Sequence, residues 1–287
     1  MKKMAKAVLF FALAGTLLAG CSEQPWPHPS SLQEETRTKV GMLPFLNVSE
    51  ERLNELRKKV EADISLSLNL SREFVYYDNL MTLQAALESD KVHCIALYSN
   101  VAKYLTDRNA KFKVVEENPG SAKRPVDDIC FAVRQEDQEL KESLDQAVRE
   151  MKADGTLERL EKDYITDLGL GEDPSIVPIQ EIPGVDSVSV AVTGDLPPFD
   201  LVLANGKAAG FNTAVLAELG ERLGKNIEII QVDSAARVSA LMSGQADVVF
   251  WSVLPVGGDM PKDLDQPDGV ELTLPYFRDE IVHVEKK

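Results

Sequence analysis

A chain of 287 residues has room for two compact units with sizeable cores. Its composition, 44% hydrophobic and 27% charged, is that of a globular protein and excludes the disordered and collagen-like classes. The formal net charge of −16 argues against nucleic acid as a partner, because phosphate binding needs a basic footprint and only the short Arg57-Lys58-Lys59 run resembles one.

Residues 1–20 read as a secretory signal: lysines at 2, 3 and 6, an apolar run from Ala7 to Leu18 that is short for a bilayer span, then small residues. Leu18-Ala19-Gly20-Cys21 resembles the bacterial lipobox, which implies lipidation of Cys21 and makes a lipid anchor the only membrane contact expected. The polar stretch to residue 37 reads as a tether. This places the protein in the cell envelope, outside the cytoplasm. Cys94 and Cys130 then remain, each inside an apolar strand-like run where Cys usually serves as a small hydrophobe, so a disulfide is not expected. His28, His93 and His283 lie far apart with no companions at ligand spacing, so neither a metal site nor a cofactor is expected.

From residue 38 the elements alternate. KVGML (39–43) reads as a strand, Ser49 as the cap of a helix with Leu53, Leu56 and Val60 inward, and EFVYY (73–77) as the next strand. Asp78 is the expected cap of the following helix; HCIALY, a helix near 100–107 and KFKVVEE come after it. DICFAVRQ leads into a helix striped by Leu140, Leu144, Ala147, Val148 and Met151, a turn at Asp154-Gly155 and a helix over 156–164. Residues 167–184, with three prolines and no helical period, read as a linker. VSVAV (188–192), a hairpin at Asn205-Gly206, a helix with Val215, Leu216, Leu219 and Leu223, IEIIQV, a helix over 235–243 and DVVFWSV complete the series. Uninterrupted apolar strands next to helices indicate parallel α/β architecture, and the similarity of 83–99 to 238–252 indicates two lobes.

These segments resemble the type 3 family of bacterial extracellular solute-binding proteins, receptors of polar amino-acid ABC importers. The resemblance rests on VSVAVTGDLPPFDLVLANGKAAGFNTAVLAELGERLG, IEIIQVDSAARVSALMSGQADVVF and LTLPYFRDEIVHVEKK for the family's opening. For its ending it rests on KVHCIALYSNVAKYL and FAVRQEDQELKESLDQAVREMKADGTLERLEKDYI. The order is reversed, so the resemblance implies a circularly permuted, two-lobed periplasmic-binding fold of type II with two strands crossing between the lobes. Lobe A is then 38–127 plus 281–287, lobe B is 128–280, and 167–184 joins the family's usual termini. A monomer is expected; the alternative is a pair of truncated modules completing each other in a swapped dimer.

The resemblance places the ligand at Asp195, Leu196, Phe199, Ser234, Trp251, Ser252 and Leu254 in lobe B and at Phe45, Asn47, Ser49, Tyr98 and Ser99 in lobe A. Two departures bear on its chemistry. Leu254 and Asp259 stand where the family places the Thr and Arg that hold a ligand carboxylate, and no arginine occurs from Trp251 to Phe277. Tyr98 replaces the usual amine-binding Asp. Both clamps for a zwitterion are therefore absent from their usual places. Arg237 is the one nearby cation able to substitute, although its place in the first turn of a helix predicts a solvated surface residue. Asn47 and Ser49 read equally as caps or as an anion site. Trp251, Tyr98, Phe199 and Phe45 suit an aromatic pocket or a cation cage with Asp195 nearby.

The function expected is that of a lipid-anchored receptor that binds a small polar or amino-acid-like molecule and delivers it to an ABC importer permease. A ligand sensor or scaffold without its own importer is the alternative. An enzyme such as a dehydratase is not expected, because Asp195, Asp233 and Asp259 have no visible partner to tune them.

Overall fold

The computed structural model describes residues 38–43, 72–116, 124, 126–253 and 266–287. The expectations for the signal segment, Cys21, the tether and the helix capped by Ser49 lie outside them. Among the described residues no helix is long and apolar enough to cross a membrane.

The elements follow in chain order. The first group is β1 (Thr38–Met42), β2 (Arg72–Tyr76), α1 (Leu80–Glu88), β3 (Cys94–Tyr98), α2 (Ser99–Arg108) and β4 (Phe112–Val114). Next come β5 (Val126–Arg134), α3 (Gln138–Ala153) and α4 (Thr156–Glu161), which runs into a π-helical turn at Lys162–Thr166. After the 167–184 segment come β6 (Ser187–Val192), β7 (Asp195–Leu196), β8 (Asp200–Val202), β9 (Ala208–Ala209), α5 (Phe211–Leu223) and β10 (Asn226–Gln231). A 3-10 turn at Ser234–Ala236, α6 (Arg237–Met242), β11 (Val248–Val253), β12 (Val270–Leu272) and β13 (Phe277–Lys286) end the chain.

The main sheet runs β10-β6-β11-β5-β13-β3-β1-β2, and it is two copies of one pattern. In one lobe β2, β1 and β3 are parallel, β13 is antiparallel beside β3, and β4 pairs with β13. In the other, β10, β6 and β11 are parallel, β5 is antiparallel beside β11, and β12 pairs with β5. Each lobe thus takes its antiparallel strand from a distant part of the chain. Strand β13 joins them: Phe277–Glu280 pair with Ile129–Val126 of β5, whereas Ile281–Val284 pair with Tyr98–Ile95 of β3. The chain also passes from one lobe to the other between Val115, whose N–H donates to His283 at 2.8 Å, and the start of β5. The fold is accordingly a two-lobed α/β architecture with strands crossing between the lobes, as expected.

The apolar runs are strands covered on both faces. Ile95, Leu97 and Tyr98 of β3 and Val248 and Val249 of β11 are buried, which is why their sequences show no polar alternation. Helix α3 buries Leu144, Ala147, Val148 and Met151 as its stripe predicts. Helix α1 is capped one residue later than expected: Asn79 accepts from Thr82 N at 2.8 Å and Thr82 Oγ1 lies 3.4 Å from Asn79 N, a reciprocal capping box. Helix α2 has no side-chain cap of its own. Its first turn is held instead by Asp279 of β13, which accepts from Ser99 Oγ at 2.5 Å, Asn100 N at 3.2 Å and Asn100 Nδ2 at 2.9 Å.

Strands β1 and β13 flank β3. Lys39 N donates to His93 Nδ1 at 2.9 Å, and Val284 pairs with Ile95, two residues along. Since β1 is parallel and β13 antiparallel to β3, the start of β1 and the end of β13 lie at one end of the sheet, two strand spacings or about 10 Å apart.

The 167–184 segment has no helix or strand beyond a bridge of Ile176 to Ala209. Asp173 accepts from Tyr104 at 2.6 Å and pairs with Arg108 at 3.1 Å, both on α2. Val177 N donates to Ala208 O at 3.2 Å. The segment therefore touches one lobe at 173 and the other at 177.

Candidate functional site

Where β6 and β11 end, the chain makes a loop that closes back on a helix. After β6, Thr193 and Gly194 turn into the short β7, and Pro197-Pro198-Phe199 lead into β8. Gly210 makes the return possible. It has a φ of 99°, and a Cβ there would stand 2.6 Å from Pro198 O, so only glycine permits this approach. As a result the first N–H groups of α5 find partners in the loop: Phe211 N donates to Pro198 O at 3.0 Å and Asn212 N to Phe199 O at 2.8 Å.

Behind this loop is a cavity of about 40 Å³, room for a few water-sized groups. Tyr98 enters from β3 of one lobe; Leu196, Phe199, Phe250 and Trp251 come from the other, with Ile129 between them. Phe199 meets Tyr98 edge-on at 6.1 Å between ring centres and Phe277 at 5.5 Å. The Tyr98 hydroxyl donates to Asp127 Oδ2 at 2.9 Å, tying the cavity wall to the strand that enters the second lobe.

Two opposite charges line this apolar chamber. Arg237, the first residue of α6, is buried, not solvated as its position in the sequence predicts. Its Nε donates to Ser234 O at 3.2 Å and its Nη1 to Phe250 O at 3.1 Å, and its guanidinium lies 5.0 Å from the Trp251 ring centre. Burial lowers its pKa to about 10, against the attraction of Tyr98 and Asp200, so it stays charged at neutral pH. The periodicity held the clue: Ala240 and Leu241, three and four residues on, are buried on the same face.

Asp200 was not among the residues the sequence singled out. Its Oδ2 accepts from Gly194 N at 3.0 Å and Thr193 N at 3.1 Å, which fixes the loop, whereas its buried Oδ1 has no hydrogen-bond partner. Desolvation pushes this carboxyl up to about 6 despite those amides. Asn212, also lining the cavity, accepts from Tyr276 at 2.8 Å. No sequence pattern marks Asp200, since in β8 the hydrophobic Leu201 and Val202 would be expected to face inward and are instead only half-buried.

The residues named from the sequence divide into three groups. Leu196, Phe199, Tyr98 and Trp251 come together around the cavity. Asp195 and Ser234 line a neighbouring open groove of about 500 Å³, whose other wall is the start of α1 from Asp78 to Gln84. There the Asp195 carboxyl is raised, mainly by desolvation. Asp195 Oδ1 and Ser234 Oγ are buried without partners. Ser99 follows Tyr98 but gives its hydroxyl to Asp279. Ser252 lies in β11 opposite Ile129, its side chain outside the description, and Leu254, Phe45, Asn47 and Ser49 lie outside the described residues.

Neither Cys94 nor Cys130 is in a disulfide, and burial pushes the Cys130 thiol up to about 12. Among the described residues no three His, Cys, Asp or Glu side chains gather as a metal site.

Among curated proteins none matches the chain in sequence. In three dimensions it is similar to the ligand-binding component of an ABC-type import system from Staphylococcus aureus, solved with zinc bound. The identity is 12% and the TM-score 0.41, over 86% of this chain and 65% of that one. It is similar also to the GluR0 ligand-binding core from Nostoc punctiforme in complex with L-glutamate, at 13% identity and a TM-score of 0.37, over 87% and 85% of the two chains. A third is the alkanesulfonate-binding protein SsuA from Xanthomonas axonopodis pv. citri bound to MOPS, at 10% identity and a TM-score of 0.39, over 88% and 66%. The chain thus spans just under two thirds of the first and third of these proteins. The family model for bacterial extracellular solute-binding proteins, family 3, matches residues 188–255, from β6 to just beyond β11, and this part of the chain is similar to that family.

Proposed function

We propose that the protein is an extracytoplasmic solute receptor, lipid-anchored through Cys21, that captures a small molecule between its lobes and presents it to an ABC importer permease. The observation that carries this reading is the cavity walled by Tyr98 of one lobe and Phe199 and Trp251 of the other, with a buried arginine in its lining. The family match over 188–255 supports it. Residues 38–127 with 281–287 act as one lobe and 128–280 as the other, in a monomer. The chain order is a circular permutation: the two ends of the described unit lie beside each other on one lobe, and 167–184 bridges the positions where the family's termini would stand.

The ligand carries an acidic group. A buried guanidinium in an apolar chamber costs desolvation energy that an anion offsets by charge-assisted hydrogen bonds. Arg237 thus takes the role of the arginine absent from the segment after β11. The site binds and does not transform: Asp200 spends one oxygen on the N–H groups of Thr193 and Gly194, which holds the loop and leaves it poorly placed for proton transfer.

The test is thermal unfolding of residues 22–287 against L-amino acids, small carboxylates, polyamines and nucleosides. A ligand at 100 times its Kd adds about 2.7 kcal/mol, a rise on the order of 5 to 10 °C at this size. Stabilisation by anionic or zwitterionic compounds, lost in Arg237→Met, is the expected result. Stabilisation by polyamines alone, or by nothing in the panel, contradicts the reading.

A further inference from the structure

We infer that residues 167–184 form a clasp: Asp173, carried with the lobe of β6 and β11, grips α2 of the other lobe and holds the two together before ligand arrives. Its release is then the step that admits ligand. That last role rests on the receptor reading, whereas the grip itself does not. Three observations support it.

First, α2 presents a prepared pair of donors. Tyr104 and Arg108 stand four residues apart, hence on one face of the helix. Both donate to Asp173 Oδ1, at 2.6 and 3.1 Å, and Arg108 donates also to the Glu172 carbonyl. The Arg108 guanidinium lies 3.4 Å from the Tyr104 ring centre, so each side chain steadies the other for the same carboxylate. Second, the hold is short. Ser175 O accepts from Gly210 N at 3.4 Å, and buried Val177 donates its N–H to Ala208 O at 3.2 Å. The two residues of chain from Asp173 to Ser175 reach no farther than about 7 Å. Moving α2 away from the Gly210 turn therefore requires Asp173 to let go. Third, the clasp stands beside the cavity. Helix α2 begins directly after Tyr98, and Gly210 is the point of approach that places Pro198 and Phe199. Pro198 also lines a small crevice with Tyr104, Arg108 and Leu168. Parting α2 from the Gly210 turn thus draws Tyr98 from Phe199, the two rings that meet edge-on across the lobes.

The strength of the grip suits a device that opens. The Asp173 side chain is 65% exposed, so its pair with Arg108 is screened and modest. A contact made only while the lobes are together biases them towards that arrangement by its own free energy and no more. The clasp accordingly slows both entry and escape of a ligand without locking the cleft.

The experiment reads lobe separation in ligand-free residues 22–287 by electron-spin distance measurement, with nitroxides attached to p-acetylphenylalanine at positions 81 and 233. Met81 and Asp233 are exposed and line the open groove from opposite lobes, and this chemistry leaves Cys94 and Cys130 unmodified. The expected result in wild type is a dominant short distance with a minor longer one. In Asp173→Ala and in Arg108→Met the longer component grows at least about threefold, the scale of an exposed pair. Asp173→Asn, which keeps an acceptor for Tyr104, falls between wild type and Asp173→Ala. Circular dichroism verifies the fold of each variant, and small-angle X-ray scattering of the unlabelled proteins reads the same opening as a larger radius of gyration. Identical distance distributions in wild type, Asp173→Ala and Arg108→Met overturn the inference. So does a wild type in which the longer distance already dominates. Both results leave the receptor reading standing, because no ligand enters the measurement.

Discussion

Asp200 ties stability to pH. Its carboxyl is held at about 6 in the folded protein and near 3.8 when unfolded, so the folded state binds the proton more tightly. Between about pH 4 and pH 6 unfolding releases that proton, and stability falls as pH rises, by about 3 kcal/mol for this group alone. Asp195 and Asp279, also raised by burial, act with the same sign. Urea unfolding of the ligand-free protein at pH 5 and pH 7.5 is expected to show greater stability at pH 5 from this source, with a smaller difference in Asp200→Asn; an equal difference in the two proteins contradicts it. Tyr98→Phe keeps the ring against Phe199 but removes a donor to buried Asp127, at an expected cost of about 1 to 3 kcal/mol in the same assay. At this scale the sequence was legible for the aromatic walls. It was less so for the charges, because Asp200 is defined by a loop that turns back on itself and Arg237 by the face of a two-turn helix.

The loop and helix around the cavity depend on a few points of backbone approach. Gly210→Ala puts a Cβ against Pro198 O in a left-handed conformation and is expected to cost about 1 to 3 kcal/mol while shifting Phe199. A lowered unfolding midpoint with weaker ligand binding is the expected outcome, and unchanged binding contradicts the claim that this contact positions the wall. The 167–184 segment reaches both lobes. Asp173→Ala removes an exposed pair with Arg108 and the bond from Tyr104, so global stability is expected to change by less than about 1 kcal/mol. Faster amide exchange at Glu172–Ser175 in the variant checks the tether, and unchanged exchange contradicts it. Strands and helices were readable because a buried parallel strand leaves an unbroken apolar run and a half-buried helix a stripe. The cap of α2 was not, since Asp279 lies about 180 residues from the Ser99 it holds. The cap of α1 fell on Asn79 and not Asp78 because Thr82 completes the reciprocal pair only from Asn79.

Across the molecule, each lobe is three parallel strands completed by an antiparallel strand from elsewhere in the chain, so neither lobe is a contiguous segment. That is why the motifs could be read locally while their assembly required the order to be compared as a whole. A chain in which Lys287 is joined to Thr38 by four or five Gly and Ser residues, enough for about 10 Å, and opened within 167–184 is expected to fold with the same ligand affinity. Failure of that chain to fold argues against the permutation. The central claim, that ligand enters the cavity between the lobes, has a built-in reporter: Trp251, one of the two tryptophans, lines it, and the other, Trp26, can be replaced. The decisive measurement is fluorescence titration of Trp26→Phe with the compounds that stabilise the protein. A saturable change at the calorimetric affinity, abolished in Arg237→Met, is what the account predicts; binding seen by heat with no response from Trp251 would place the ligand elsewhere and contradict it.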